Sequence, residues 1–126
     1  MAMINPLAKV RGLGSAKEGT HHWIAQRMTA VALVPLTLWF VVSLIGLIGA
    51  DVALIKEWLA NPFNAVLMVL LLIAGFHHAQ LGLQVVIEDY VSGHGARLVA
   101  LWIAKGAAYF FGAAAVFAVV KLAIGA

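Results

Sequence analysis

Three long stretches without a charged residue dominate this chain of 126 residues. They cover residues 28–50, 58–87 and 98–120, and only Lys105 interrupts the last one. Each is long enough to cross the hydrocarbon core of a bilayer as a helix, which needs about 20 mainly apolar residues. The hydrophobic fraction is 64%, against roughly 45 to 50% for soluble domains. The pattern predicts an all-α integral membrane protein with three transmembrane helices, at about residues 28–50, 62–87 and 98–121.

The rest of the chain is short and predominantly polar. Residues 1–27 are basic and lack an apolar core of their own, so we expect a surface segment rather than a cleavable signal peptide. Residues 28–126 then form the membrane unit, with residues 51–61 as a short outer loop anchored by Trp58. This layout leaves no room for a soluble catalytic domain. The chain has no cysteine, so any redox metal would have to be held by histidine.

Lysine and arginine are unevenly divided between the two ends of the predicted helices. Six lie on the side of the N-terminus and two on the other side. The six are Lys9, Arg11, Lys17, Arg27, Arg97 and Lys105; the two are Lys56 and Lys121. The positive-inside rule therefore predicts a cytoplasmic or matrix-side N-terminus and a periplasmic or intermembrane-side C-terminus. This bias accounts for the net charge of +3, so no nucleic-acid partner is predicted.

Two local patterns concern helix boundaries and packing. Asn61 followed by Pro62 predicts a helix start, with an N-cap and a proline at the first helical position. In the third helix, small residues recur at spacings of four, four and three, and such a stripe predicts close packing against another helix in lipid. The stripe consists of Ala104, Ala108, Gly112 and Ala115.

Two adjacent histidines, His77 and His78, lie within the second predicted helix. Adjacent helical side chains point about 100° apart, so these two cannot serve one site. The neighbours of His78 at i−4, i−3 and i+4 are small: Ala74, Gly75 and Gly82. Small neighbours leave room for a large flat group such as a porphyrin, which makes His78 the preferred candidate for a haem ligand and His77 its rival. Alternatively, His78 only forms a hydrogen bond with a neighbouring helix.

An acidic and aromatic pair, Asp89 and Tyr90, ends the same helix roughly 16 to 18 Å from His78 at 1.5 Å per residue. A phenol and a carboxylate, together with Arg27 at the same predicted membrane level, have the chemistry to bind a quinone carbonyl and handle its protons. The simpler interpretations are an interfacial tyrosine and a positive-inside arginine. If His78 does bind a haem, a second axial ligand must come from another chain, because no other histidine here can reach it.

These residues resemble a known family. Residues 78–90 match the pattern H-x-x-x-G-x-x-x-x-x-x-D-Y of the small hydrophobic membrane anchor of succinate dehydrogenase (respiratory complex II), which is of the cytochrome b type. Residues 21–30 match that family's H-x-x-x-x-x-R-x-T-A lead into its first helix. The length, three-helix layout and orientation also fit, so the resemblance covers nearly the whole chain.

The resemblance implies a role for each matching residue. His78 would be one axial ligand of a haem b shared with a second, companion membrane anchor, also of the cytochrome b type. Tyr90 would donate a hydrogen bond to ubiquinone, with Asp89 beside it. Arg27 and His21 would lie near the haem propionates and the mouth of the quinone site.

The other activities of such a complex would lie outside this chain. Succinate oxidation on FAD and electron transfer through iron–sulfur clusters would belong to a flavoprotein subunit and an iron–sulfur subunit. The resemblance implies a bacterial cytoplasmic or mitochondrial inner membrane. His77 and Glu88 depart from a plain match. A different interpretation is a small oligomeric proton-coupled transporter that uses the histidine pair, although the other two helices have no ionisable group at their centres.

Overall fold

The computed structural model describes residues 16–125, and within that range it contains four helices and no strand. They are α1 (Ala16–Gly46), α2 (Val52–Ala60), α3 (Pro62–Tyr90) and α4 (His94–Ala123). Three of them, α1 from Gly19 onwards, α3 and α4, are long and apolar enough to cross a membrane. The predicted all-α fold with three spanning helices is therefore confirmed. Residues 1–15, with Lys9 and Arg11, lie outside the described residues.

The first helix begins earlier than predicted, at Ala16 instead of residue 28, and ends at Gly46 instead of residue 50. The prediction followed the apolar stretch, which indicates where a helix meets lipid but not where it begins. Residues 16–27 contain alanine, lysine, glutamate and glutamine and no proline, a composition that favours helix. Part of the segment predicted to lie on the surface is thus a continuation of the first membrane helix.

The predicted outer loop at residues 51–61 is wrong, because most of it forms the helix α2. Asp51 caps this helix, its Oδ1 atom accepting a hydrogen bond of 2.9 Å from the backbone N–H of Leu54. The predicted start of the next helix is confirmed: the Oδ1 atom of Asn61 accepts from the N–H of Phe63 at 3.0 Å, and Pro62 is the first residue of α3. Two capped helices therefore follow one another with only Asn61 between them.

The central helix of the bundle is α3. It packs against both α1 and α4, whereas within residues 16–125 the backbones of α1 and α4 are not close neighbours. Of the three long helices, α3 runs antiparallel to both α1 and α4. One end of the bundle, here called the Trp58 end, carries α2, whose Trp58 ring stacks on Trp39 of α1 with centroids 5.6 Å apart. The other, the Tyr90 end, is where α3 ends and α4 begins.

Gly112, in the stripe of small residues on α4, lies on the surface that packs against α3. A Cβ added at Gly112 would lie 3.4 Å from the Cβ and Cγ atoms of Phe76, so the ring of Phe76 rests directly on the glycine. The four stripe residues are all partly buried, unlike most of the large apolar side chains of α4. The contact at Gly112 agrees with the predicted packing face, and helices in lipid associate through such close van der Waals contact.

Candidate functional site

The imidazole of His78 lies at the contact between α3 and α1. Its Nδ1 atom is 3.1 Å from the hydroxyl oxygen of Thr29, and this side-chain hydrogen bond joins the two helices. The hydroxyl also lies 2.8 Å from the carbonyl oxygen of Ala25 and 3.0 Å from that of Gln26, both on its own helix. The ring of His78 is therefore held from one side by a residue 49 positions away in sequence.

The other nitrogen of the same ring, Nε2, has no hydrogen-bond partner among residues 16–125, and it is not completely buried. At least part of Nε2 is therefore exposed on the single chain. Gly75 and Gly82, one turn to either side of His78, also face open space, since a Cβ added at either would meet no atom within 4 Å. An accessible nitrogen between two open glycines is a fitting place for a planar ligand that is held by one axial side chain. Within the described residues no group of three or more metal-ligating side chains occurs, but a haem iron needs only axial ligands from protein.

His77 points to a different place. It is exposed and lines a cavity of about 540 Å³ between α3 and α4, together with Gln80, Tyr109 and apolar side chains of both helices. The two histidines thus lie on different faces of α3, His78 towards α1 and His77 towards α4. This geometry agrees with the expectation that the two imidazoles cannot serve one site.

A row of polar side chains runs along α3 from this cavity towards the Tyr90 end. Gln80, which is only 5% exposed, donates from Nε2 to the Oε1 atom of Gln84 at 3.4 Å. Gln84 in turn donates to Glu88 at 3.1 Å. The spacing of four residues places successive side chains on one face of the helix. Glu88, which has no place in the family pattern, is thus the last member of a hydrogen-bonded row that extends from the Tyr90 end towards the middle of α3.

The predicted quinone-binding residues are at the end of α3. Tyr90 is its last residue and is 83% exposed, and Asp89 beside it is also exposed. Neither side chain forms a hydrogen bond or an ion pair with another described residue. Both groups therefore remain available to a ligand or to another chain.

Arg27 and His21 are exposed on α1. The guanidinium carbon of Arg27 lies 5.0 Å from the ring centroid of Trp23, a cation–π contact within α1. Neither Arg27 nor His21 forms a hydrogen bond or an ion pair with Asp89 or Tyr90 in the structure. The predicted grouping of phenol, carboxylate and guanidinium is thus not assembled by residues 16–125 alone.

The sequence patterns did not indicate a role for three further polar side chains of α1. Thr29 is one, although it stands in the R-x-T-A motif. His22 and Gln26 share its face of α1 by helical spacing, and His22 Nε2 and Gln26 Oε1 are buried without a hydrogen-bond partner in the described part of the chain. An i, i+4, i+7 row of polar residues that leads into the apolar part of the helix is the signal that could have identified them.

Comparison with known proteins places the chain in a family. The family model described as the succinate dehydrogenase/fumarate reductase transmembrane subunit matches residues 1–120. The succinate dehydrogenase hydrophobic membrane anchor subunit of Paracoccus denitrificans is 36% identical over 127 aligned positions, which cover 100% of this chain and 97% of that protein. The protein of the same name from Rickettsia bellii is 42% identical over 86 residues, 68% of this chain and 69% of the relative. The chain belongs to the succinate dehydrogenase/fumarate reductase transmembrane subunit family.

Proposed function

We propose that the chain is a membrane-anchor subunit of succinate:ubiquinone oxidoreductase, respiratory complex II. The family match, the full-length similarity to the Paracoccus anchor subunit and the three membrane-spanning helices support this role. In it, the chain holds the flavoprotein and iron–sulfur subunits on the membrane, together with a companion membrane anchor. Succinate oxidation belongs to the flavoprotein and not to this chain.

In this proposal His78 is an axial ligand of a haem b shared with the companion anchor. The single observation that carries the assignment is the state of its ring: Nδ1 is engaged by Thr29 while Nε2 is accessible. His77 lacks such an arrangement, because it lines the cavity on the other side of α3 and has no hydrogen-bond partner in residues 16–125. When bound, the haem would supply a one-electron ferric/ferrous couple whose potential depends on its axial ligands and their hydrogen bonds.

The Tyr90 end is proposed as this chain's contribution to the ubiquinone-reduction site. The exposed phenol of Tyr90 is a hydrogen-bond donor suited to a quinone carbonyl, and the carboxylate of Asp89 next to it is suited to take up and release protons. Arg27 and His21 are assigned to the haem propionates and the mouth of this site. Since the structure leaves these side chains apart, residues of partner subunits have to complete both sites.

The orientation follows from the uneven distribution of lysine and arginine. It places the N-terminus and the Tyr90 end on the cytoplasmic or matrix face of a bacterial or mitochondrial inner membrane. Electrons from the soluble subunits arrive on that face, so a quinone site at Tyr90 lies on the correct side.

The absorption spectrum of the purified complex tests the haem assignment. His78→Ala is expected to abolish the b-type bands, whereas His77→Ala, the matched control on the neighbouring residue, is expected to keep them. The reverse pattern would transfer the assignment to His77. Bands that survive in both variants would leave this chain as an anchor without a haem ligand.

A further inference from the structure

The hydroxyl of Thr29 has three possible hydrogen-bond partners and only one proton to give. Its oxygen is 2.8 Å from the carbonyl oxygen of Ala25, 3.0 Å from that of Gln26 and 3.1 Å from Nδ1 of His78. Carbonyl oxygens only accept hydrogen bonds, whereas Nδ1 of an imidazole either donates or accepts, according to its tautomer. The three distances therefore determine where the protons lie.

If the hydroxyl donated to Nδ1, its oxygen lone pairs would face two carbonyl oxygens at 2.8 and 3.0 Å with no proton between them. That arrangement is repulsive. If the hydroxyl instead donates to the carbonyl side, its lone pairs face His78 and accept a hydrogen bond from Nδ1–H. Only this second arrangement satisfies all the groups, so a neutral His78 carries its proton on Nδ1 and a lone pair on Nε2.

We infer that Thr29 is a positioning residue, which fixes the tautomer and the ring plane of His78 and thereby presents Nε2 to the iron. The inference deepens the proposed haem-ligand role of His78 and rests on it. Metal-bound histidines generally donate their other ring N–H to an acceptor, which makes the ligand more basic and fixes its orientation. Here the acceptor comes from another helix, so the packing of α1 on α3 controls the orientation of the ligand.

The acceptor is itself held rigidly. The hydroxyl of Thr29 is anchored to the backbone of its own helix, where Ala25 and Gln26 lie one turn earlier. A side chain fixed in this way has little freedom to turn away from His78. A hydrogen bond from Nδ1–H also makes the imidazole a stronger electron donor, which stabilises ferric over ferrous iron. Loss of the hydroxyl is therefore expected to weaken haem binding and to raise the reduction potential.

The test uses the whole complex, assembled with one of three variants of this chain. Thr29→Val removes the hydroxyl and keeps the shape, Thr29→Ser keeps the hydroxyl and removes the methyl group, and Thr37→Val is the matched control. Thr37 is exposed on α1, and its hydroxyl does not bridge to another helix within residues 16–125. Three quantities are measured: the rate of haem transfer to apomyoglobin, the midpoint potential from a redox titration, and the low-spin ferric haem signal in electron paramagnetic resonance.

For Thr29→Val we expect haem loss to be roughly tenfold faster or more, with a higher midpoint potential and shifted g-values. Thr29→Ser and Thr37→Val are expected to match the wild type in all three measurements. If Thr29→Val also matches it, or if Thr29→Ser is as altered as Thr29→Val, the inference is overturned. A His78→Ala complex measured beside them separates the two claims: loss of haem there upholds the ligand role even when the Thr29 variants are unchanged, whereas retention of haem refutes the ligand role itself.

Discussion

The two helix contacts of α3, with α1 and with α4, differ in chemistry. On the side of α1 the contact is polar, with a hydrogen bond from one helix to the other and the unpaired buried atoms of His22 and Gln26 nearby on α1. On the side of α4 it is apolar and close, with the ring of Phe76 against Gly112. One helix thus holds the proposed ligand on one side and its main packing contact on the other.

The difference has a physical reason. Two helices in lipid gain nothing from the hydrophobic effect, so they associate through either close van der Waals contact or polar bonds. The α4 side uses the first means at Gly112, where the ring of Phe76 fills the contact within the chain. The α1 side uses the second and leaves polar atoms without partners, so it is incomplete until a ligand, a water molecule or another subunit is added. Incompleteness at a polar contact therefore indicates a site, whereas small residues at an apolar contact indicate packing.

The largest effect is expected from disturbing the apolar side. Gly112→Leu would insert a side chain where Phe76 already lies, which forces α3 and α4 apart at a cost of about 1 to 3 kcal/mol. Thermal denaturation of the purified complex measures this loss. Gly106→Leu is the control on the same helix, because an added Cβ there meets no atom within 4 Å. Equal losses in the two variants would mean that close packing at Gly112 is not what holds α4 in place.

The proposed quinone role at the end of α3 depends on the phenol of Tyr90. Tyr90→Phe removes one hydrogen-bond donor and is expected to lower quinone reduction roughly tenfold. Succinate oxidation with an artificial dye acceptor is expected to stay unchanged, since that reaction does not need the membrane site. Tyr109→Phe, on the α4 side of the bundle, serves as the control. Should both activities of the Tyr90→Phe complex fall together, Tyr90 acts through assembly instead of through quinone.

A smaller effect is expected from Gln26. Its buried Oε1 atom has no partner in the described chain, but buried polar atoms in complete assemblies are almost always paired. Gln26→Leu is therefore expected to lower the stability of the assembled complex by about 1 kcal/mol, the worth of one hydrogen bond. Thermal denaturation of the complex, with Thr37→Val as the control, checks this. An unchanged or higher stability would contradict the view that the unpaired polar atoms of α1 gain hydrogen-bond partners on assembly.

Much of the fold could be predicted from local patterns. The three uncharged stretches predicted three membrane helices, Asn61 and Pro62 predicted the start of α3, and the small-residue stripe predicted the face that packs against Phe76. The failures lie outside the apolar stretches, in the early start of α1 and in the helix α2. Hydropathy reports contact with lipid, and a helix that continues beyond the lipid, or lies beside it, has no such signal.

The candidate site was predictable only in part. The small neighbours of His78 predicted the open space beside it, and the helical angle between adjacent residues predicted that His77 faces elsewhere. Neither pattern indicated that Thr29 would be the partner of His78. Nor did the spacing indicate that Arg27 would lie against Trp23 on its own helix.

The sequence by itself determined which segments are membrane helices, which of their faces are small or polar, and to which family the chain belongs. These properties depend on residues that are close in sequence, so the periodicity of the α-helix is enough to predict them. Only the tertiary structure decided that α3 lies between the other two long helices and that Thr29 lies level with His78, 49 residues away. Such a contact depends on how far one helix is shifted along another, which is set by the packing of whole helix surfaces and not by any single motif.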